Sequence, residues 1–431
     1  MSASVEFWGG VGVIGSSKVL IRDGGHRVLL DLGLDIPKDG DLFRVPAAPR
    51  PGRELSDRLR VGAAPAIPGV FDPAALTAGD RLAEPVEPTA LFVTHPHIDH
   101  VGLAGFVRPE VPVYASPDTV ALLGALDVAG DALPGPRLFD GATGWRPVEL
   151  GAPVRVGPMT VERFDVDHDV PGASGYRVTT GDGVLAFTGD FRFHGHRPEL
   201  SWAFAEAVAG ADVLVTEGTT LSWEEIHPLR TEAEVNALFE AELAGNPDLV
   251  MMAIYPRDFD RVRDFTAIAA AAGRRILWPA RTAAFLAAAG FADVVSVAEA
   301  GLDAVHEKPG GHVVQLDAED IPSLLDVSFG PRSVFVHANG EPLGPFEPRW
   351  QLFTDWLAKL GVPLRRIGCS GHAYQDDLHE FVHMINPKVL IPIHTFSPYR
   401  VHPTGSTSRL VVDYAQAYDF AGRPLGSGGT R

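Results

Sequence analysis

The chain has 431 residues, 45% of them hydrophobic, with a formal net charge of −19, and its mean hydropathy is +0.07. That size implies two domains, while the acidic balance argues against a broad nucleic-acid-binding surface, though not against a local positive pocket made by bound cations. The single cysteine, Cys369, excludes internal disulfides and cysteine-based zinc knuckles. No apolar run reaches the roughly 18 residues of a membrane span, and the first residues lack the basic and apolar regions of a secretory signal, so no membrane association and a cytoplasmic setting are expected.

Residues 5–34 read as strands, with "KVLIRD" and "RVLLDLG" flanking Gly24-Gly25 in a hairpin pattern. Residues 36–88 are rich in proline and glycine without sustained periodicity. They read as a long surface excursion carrying one short helix near "GRELSDRLR". "ALFVTH" is then a short buried strand. Between 111 and 215 come the strand-like runs "VPVYAS", "MTVERFDV", "SGYRVTT", "GVLAFTGD" and "DVLVTEG", with helical patterns in "PDTVALLGALDVAG" and "ELSWAFAEAVAG". From residue 231 helix and strand alternate: "TEAEVNALFEAELAG", "DLVMMAIY", "RVRDFTAIAAAAG", "RRILWP". That alternation predicts a parallel sheet in a second domain. "SVFVHANGE", the helix "RWQLFTDWLAKLG", "RRIGCSGHA" and the strand "KVLIPIHTFSPYR" follow.

Chemistry concentrates in "THPHIDHVG", residues 94–102. A strand delivers His95, His97, Asp99 and His100 to its C-terminal end. Alternate positions 95 and 97 can face one metal, and Asp99 with His100, past a turn, a second. Imidazole and carboxylate suit zinc, and an open coordination position activates water. One loop cannot complete two coordination shells. His168 follows a strand in "FDVDHDVPGASGY", Asp190 ends one in "LAFTGDFR", and His394 ends another in "VLIPIHTF". Each alone reads most simply as a satisfied polar group at a strand end. Together with the first cluster they make seven ligands, with Asp190 able to bridge.

Asp31 in "LLDLG", the 95–100 cluster, His168 and Asp190 occur in the order of the motifs of metallo-β-lactamase-fold hydrolases, which the chain resembles. Glu217 in "LVTEGTT", about 150 residues of α/β insert, His372 in "SGHA" and His394 in "P-x-H" then resemble the β-CASP group, nucleases such as ribonuclease J. "AIYPRDFDRVRDFTAIAAAAGRRIL" and "NGEP" at 339–342 also resemble stretches of that insert. The resemblance runs to about residue 400. It implies an α/β fold, a metallo-β-lactamase αββα sandwich with an inserted α/β β-CASP domain. The expected division is 1–218 and 366–431 for the sandwich and 219–365 for the insert. It further implies two zinc ions, with manganese as the alternative. His95, His97, His168 and Asp190 would hold one ion, and Asp99, His100, Asp190 and His394 the other, with Asp31 orienting the motif histidines. A metal-activated hydroxide would attack phosphorus in RNA or single-stranded DNA. Asp99 belongs to the catalytic set, and His372, oriented by Glu217, would assist the leaving oxygen. A carboxylate beside the imidazole is expected to favour its protonated form.

Other signals count for less. "HEFVH" at 379–383 matches a zinc-protease pattern, but Leu378, Phe381, Val382 and Ile385 form the apolar stripe of that helix and leave His379 and His383 off it. "GVGVIG" at 10–15 matches a dinucleotide fingerprint, yet the following "SSKVLI" reads as strand, so a glycine-rich loop near the metals is expected instead. His194 and His196 could touch substrate, although surface histidines are the simpler reading. Cys369 reads as a small buried apolar side chain.

The chain also departs from the resemblance. Residues 219–365 hold 12 basic and 21 acidic residues, a net of −9. Arg257, Arg261, Arg263, Arg274, Arg275 and Arg281 cluster; Arg257 and Arg261, with Ser370, are the candidate phosphate contacts. Interleaved Asp258, Asp260 and Asp264 offer the plainer reading of a salt-bridged helix face. Pro256 and Arg257 stand where ribonuclease J-like enzymes carry small polar residues, and Tyr374 follows "SGHA" where a small hydroxyl residue is usual, which weighs against a 5′-phosphate pocket. Only 37 residues follow His394, so no additional C-terminal domain is expected. The expectation is a metal-dependent ribonuclease, with RNA or single-stranded DNA as partner and a homo-oligomer allowed. The alternative is a small-molecule ester, lactone or phosphodiester hydrolase on the same frame.

Overall fold

A computed structural model describes residues 2–35, 47–77, 87–135, 144–223, 229–340, 344, 347 and 349–426. In chain order its elements begin with β1 (Ser4–Gly9), β2 (Lys18–Asp23), β3 (His26–Leu30), α1 (Glu54–Val61), β4 (Thr89–Phe92), α2 (Ile98–Val101), β5 (Val113–Ala115), α3 (Pro117–Val128) and β6 (Trp145–Pro147). Next come β7 (Val154–Val156), β8 (Met159–Asp165), β9 (Ser174–Thr180), β10 (Gly183–Phe187), α4 (Pro198–Ala207) and β11 (Val213–Glu217). An alternating stretch follows: α5 (Glu232–Leu243), β12 (Val250–Ile254), α6 (Phe259–Ala271), β13 (Arg275–Trp278), α7 (Ala280–Ala288), β14 (Val295–Ser296), α8 (Val297–Ala300), α9 (Leu302–Glu307), β15 (His312–Gln315), β16 (Val334–Ala338), α10 (Arg349–Leu360) and β17 (Leu364–Arg366). The chain closes with α11 (Gln375–Ile385), β18 (Val389–Ile393), β19 (Ser408–Arg409) and β20 (Ala417–Tyr418).

Local sequence accounts for many of these boundaries. Gly24 and Gly25 both take positive φ between β2 and β3, where Asp23 faces His26 across a two-residue turn. Ser116 caps α3 by accepting from the Thr119 amide, with Pro117 in the first turn. Thr231 and Glu234 close a reciprocal capping box on α5. Asn386, in left-handed conformation ahead of Pro387, ends α11.

Two seven-stranded sheets pack face to face, in the orders β20-β1-β2-β3-β4-β5-β6 and β19-β18-β11-β10-β9-β8-β7. Alternate residues of both, among them Val5, Phe7, Val19, Phe92, Val161, Tyr176, Val213 and Ile391, fill the space between. The outer face of the second sheet is covered by α4 and α11 through Phe204, Phe381, Val382 and Ile385. A third sheet, β14-β13-β15-β12-β16-β17, is parallel throughout, as the helix–strand alternation predicts.

The 36–88 stretch corrects an expectation. Its short helix is α1, but the described part is not a surface excursion. Leu55, Ile67, Val70 and Phe71 are fully buried in the same core as Leu91 and Val113, and Phe71 bridges to Val107. Apolar side chains spaced by proline and glycine have no periodicity to betray them, and only their neighbours show that they are inside. Residues 36–46 and 78–86 lie outside the described residues, as do Glu341 and Pro342 of "NGEP".

Candidate metal centre

The seven residues expected to bind metal meet at the carboxyl ends of strands. β3 ends before Asp31, β4 before His95, β8 before His168, β10 before Asp190, β11 at Glu217 and β18 before His394. β3 with β4, and β10, β11 and β18 with one another, are parallel neighbours, so their ends lie side by side. Asp31 and His394 reach the site from left-handed backbone, at φ 60° and 53°, a conformation that ordinary residues hold only under tertiary constraint.

His95, His97, His168 and Asp190 each bring a donor atom within 4.8 Å of the others, and so do Asp99, His100 and His394. His95 Nε2 is 3.0 Å from His97 Nδ1, which is 3.3 Å from His168 Nε2. Asp190 Oδ2 lies 3.1 Å from His100 Nε2, 3.5 Å from His394 Nε2 and 3.7 Å from His95 Nε2. Asp99 Oδ2 is 3.2 Å from His394 Nε2.

Four of the imidazoles are tied from behind through Nδ1. His100 donates to Asp31 Oδ2 at 2.8 Å, and His168 to the Gly371 carbonyl at 2.5 Å. His95 meets Thr94 Oγ1 at 2.9 Å; that hydroxyl already donates to Asp31 and so accepts from the ring. His394 meets Thr219 Oγ1 at 2.8 Å, and this hydroxyl in turn donates to the His394 carbonyl. Each ring therefore turns Nε2 inward, the tautomer and orientation a metal ligand needs. His97 is reversed and turns Nδ1 inward. His100 Nε2 and Asp190 Oδ1 are buried without a hydrogen-bond partner among the described residues, which native interiors avoid unless something else binds there. The donor set, nitrogen-rich with shared carboxylate, fits a divalent cation of the zinc class.

Burial drives the electrostatics. It pushes the His95 imidazole well below its ordinary range and His97 to about 4. At His100, burial is outweighed by Asp190, Asp99 and Asp31, which raise it. Glu217 is pushed up to about 7, first by burial and then by Asp190. His372 is driven down to about 3 by burial. The expectation that Glu217 would favour a protonated His372 is thereby reversed. The two approach only to 3.7 Å, and the Glu217 oxygens are taken by the amides of Thr219 and Ala373 at 2.7 and 3.1 Å. His372 Nδ1 also lies 3.8 Å from Asp190 Oδ2, and His372 forms a third close group with Asp190 and His394.

The glycine loop at 10–15 does lie against the centre: His394 donates its amide to the Gly10 carbonyl at 2.8 Å. The candidate phosphate contacts separate. Ser370 is half-buried, with its hydroxyl accepting from the His372 amide at 3.0 Å. Arg257 reaches the metal loop, donating to the Pro96 carbonyl at 3.5 Å and pairing with Asp131 at 3.2 Å. Arg261 is fully buried, in an ion pair with Glu232 at 2.5 Å and close to Asp258 at 3.5 Å. Its guanidinium is closed off from any substrate. Cys369, read as apolar, joins that network, donating to Glu232 Oε1 at 3.3 Å. His194 is buried, stacked on Tyr374 and bonded to the Ser370 carbonyl at 2.7 Å, while His196 pairs with Asp264 at 2.8 Å. His379 and His383 lie off the buried stripe of α11, as expected.

Two features escaped the sequence. Tyr255, at the end of β12, sets its ring 5.4 Å from that of His97. Asp169 places Oδ1 3.2 Å from His168 Nε2 and 3.6 Å from His97 Nε2. Its adjacency to His168 in "DHD" was the available signal.

Residues 65–254 match the Beta-lactamase superfamily domain, and residues 363–396 the Zn-dependent metallo-hydrolase RNA specificity domain. Ribonuclease J of Mycolicibacterium smegmatis is 25% identical over 344 residues, covering 73% of this chain and 59% of that protein. Ribonuclease J of Pyrococcus abyssi is 22% identical over 430 residues, covering 90% and 88%. A crystal structure of a protein of unknown function from Enterococcus faecalis V583 superposes with a TM-score of 0.79 at 25% identity, covering 97% of this chain and all of that one. The chain spans about three-fifths of the length of its mycobacterial relatives. Together these matches make the chain ribonuclease J-like, with a metallo-β-lactamase fold.

Proposed function

We propose that the protein is a metal-dependent ribonuclease that cleaves RNA phosphodiester bonds, with two zinc ions in the centre and residues 219–365 as an insert beside it. The supporting observation is the approach of His372 to Asp190 at 3.8 Å and to Glu217 at 3.7 Å, which sets an imidazole at the edge of the metal cluster. The relatives named ribonuclease J carry the substrate class. His95, His97, His168 and Asp190 would hold one ion, and Asp99, His100, Asp190 and His394 the other. When bound, the ions supply a nucleophile from water at neutral pH and neutralise charge developing on phosphorus.

The side chains do the rest. Asp31, Thr94, Thr219 and the Gly371 carbonyl hold the imidazoles in one tautomer. Glu217, clamped by two amides, fixes the loop that carries His372. Burial keeps His372 neutral, and an arriving phosphate, being anionic, opposes that shift and favours the imidazolium that protonates the leaving oxygen. Single-stranded DNA is the second polymer to test. A cytoplasmic location fits a chain whose one cysteine is buried and unpaired in disulfide, and no helix among the described residues is long and apolar enough to cross a membrane.

Cleavage of labelled RNA carrying 5′-phosphate or 5′-hydroxyl ends, and of matching DNA, with added zinc or manganese tests the reading. No cleavage of any of them by metal-loaded protein overturns it. His372→Ala should lower kcat by about 10²–10⁴-fold, the usual worth of a proton donor, with metal content unchanged. The second reading, a small-molecule hydrolase, draws on Arg257, which ties the end of β12 to the metal loop at Pro96. It predicts turnover of simple phosphodiesters, esters or lactones in preference to RNA.

A further inference from the structure

We propose that Asp169 supplies a carboxylate oxygen to the cation position built by His95, His97 and His168. The proposal rests on the metal-hydrolase reading but not on the substrate. The partner of His168 Nδ1 is the Gly371 carbonyl, which can only accept, so Nδ1 carries the hydrogen and Nε2 carries a lone pair. Asp169 Oδ1 faces that lone pair at 3.2 Å. It is buried and has no hydrogen-bond partner among the described residues. Two acceptors at this separation repel unless a positive charge lies beside both.

One proton does not resolve the conflict. The same His168 Nε2 is 3.3 Å from His97 Nδ1, and His97 Nδ1 is 3.0 Å from His95 Nε2. A cation engaging these three imidazole nitrogens would lie beside His168 Nε2, the nitrogen that Asp169 Oδ1 faces. The backbone around Asp169 is shaped for this position. A Cβ on Gly371 would lie 2.5 Å from Asp169 Oδ2, so only glycine there leaves room for the carboxylate. Gly371 thus both receives the His168 N–H and makes space for Asp169. An added oxygen donor also favours ions that accept more than four ligands, and manganese gains relative to zinc.

The test is metal binding by the full chain without substrate. Zinc and manganese are titrated against a competing chelator for the wild type, Asp169→Asn and Asp169→Ser, and cobalt(II) absorption reports the coordination number. The expected result is a roughly 10–100-fold weaker affinity for one of two metal equivalents, a changed cobalt spectrum, and an unchanged second equivalent. Affinities within about twofold of wild type in both variants, with the same cobalt spectrum, overturn the assignment. So does equal loss of both ions accompanied by a lower melting temperature of the metal-free protein, which marks a purely structural role. Failure of RNA cleavage by the wild type would overturn the proposed function and leave this measurement standing.

Discussion

Asp190 is the residue on which the centre turns. A single oxygen, Oδ2, faces His95, His100, His372 and His394 within 3.8 Å. Burial opposes its charge, but His100, His394 and His372 hold the carboxyl well below its usual range. Asp190→Ala is expected to lose at least one metal equivalent after dialysis, with the far-ultraviolet circular dichroism of the wild type. Retention of both equivalents would remove Asp190 from the ligand set. His383→Ala, on the exposed side of α11, should change neither metal content nor activity, since the "HEFVH" pair has its apolar stripe turned to the core.

Strands and loops position these residues more than any single bond does. The 95–100 loop is pinned by Leu32, Leu34 and Ser17, whose amides donate to His100, Ile98 and Asp99 carbonyls at 2.8, 2.9 and 3.1 Å. The fit is so close that a Cβ on Gly33 would fall 1.6 Å from the Asp99 carbonyl oxygen. Gly33→Ala must displace that loop. A destabilisation of at least about 1–3 kcal/mol, the usual cost of overpacking, should be visible as a lower denaturation midpoint together with weaker metal binding. The parallel strands explain why the candidate ligands stand out in the sequence. "ALFVTH", "LAFTGD" and "VLIPIH" are apolar runs that stop at a ligand, a pattern contained in a few consecutive residues.

Across the molecule, the metal site and the third sheet are joined by a buried ion network. Arg192, two residues past Asp190, meets Glu232 of α5 at 2.7 Å, and Arg261 of α6 meets the same carboxylate at 2.5 Å. Burial opposes the Glu232 charge, but Arg261 and Arg192 overcome it and hold the carboxyl at about 2, against an ordinary 4.5. A depressed carboxylate stabilises the fold above pH 4.5, and that stability is lost as pH falls from about 4.5 towards 2. Glu232→Gln leaves two buried guanidinium groups without their anion and should cost about 3–5 kcal/mol at neutral pH. Its chemical denaturation should also depend less on pH within that acid window than the wild type does. The acidic exterior carries its own prediction. With a net charge of −19, RNA should be held by few phosphate contacts, so log K against log salt should fall with a slope of about −2, as for three contacts to a single strand. A slope steeper than about −4 by fluorescence anisotropy would reveal a wide basic surface.

The individual strands, the parallel third sheet and the seven candidate ligands were legible because their signals are local: alternation, apolar runs, and a histidine-rich loop at a strand end; the sandwich came from the resemblance, and its strand order only from the structure. Burial was not legible where it depends on distant chain. Ile67 and Phe71 read as part of a surface excursion until Leu91 and Val113 packed on them. Arg261 looked like a phosphate contact until Glu232, 29 residues away, enclosed it. The tautomer of His168 is set by a carbonyl 203 residues further on. Residue type and spacing specify which groups can bind a metal. The solvation, proton placement and mutual distance of those groups arise only when remote segments share one low-dielectric space, and that is where the charge state of His372 and the orientation of Asp169 were decided.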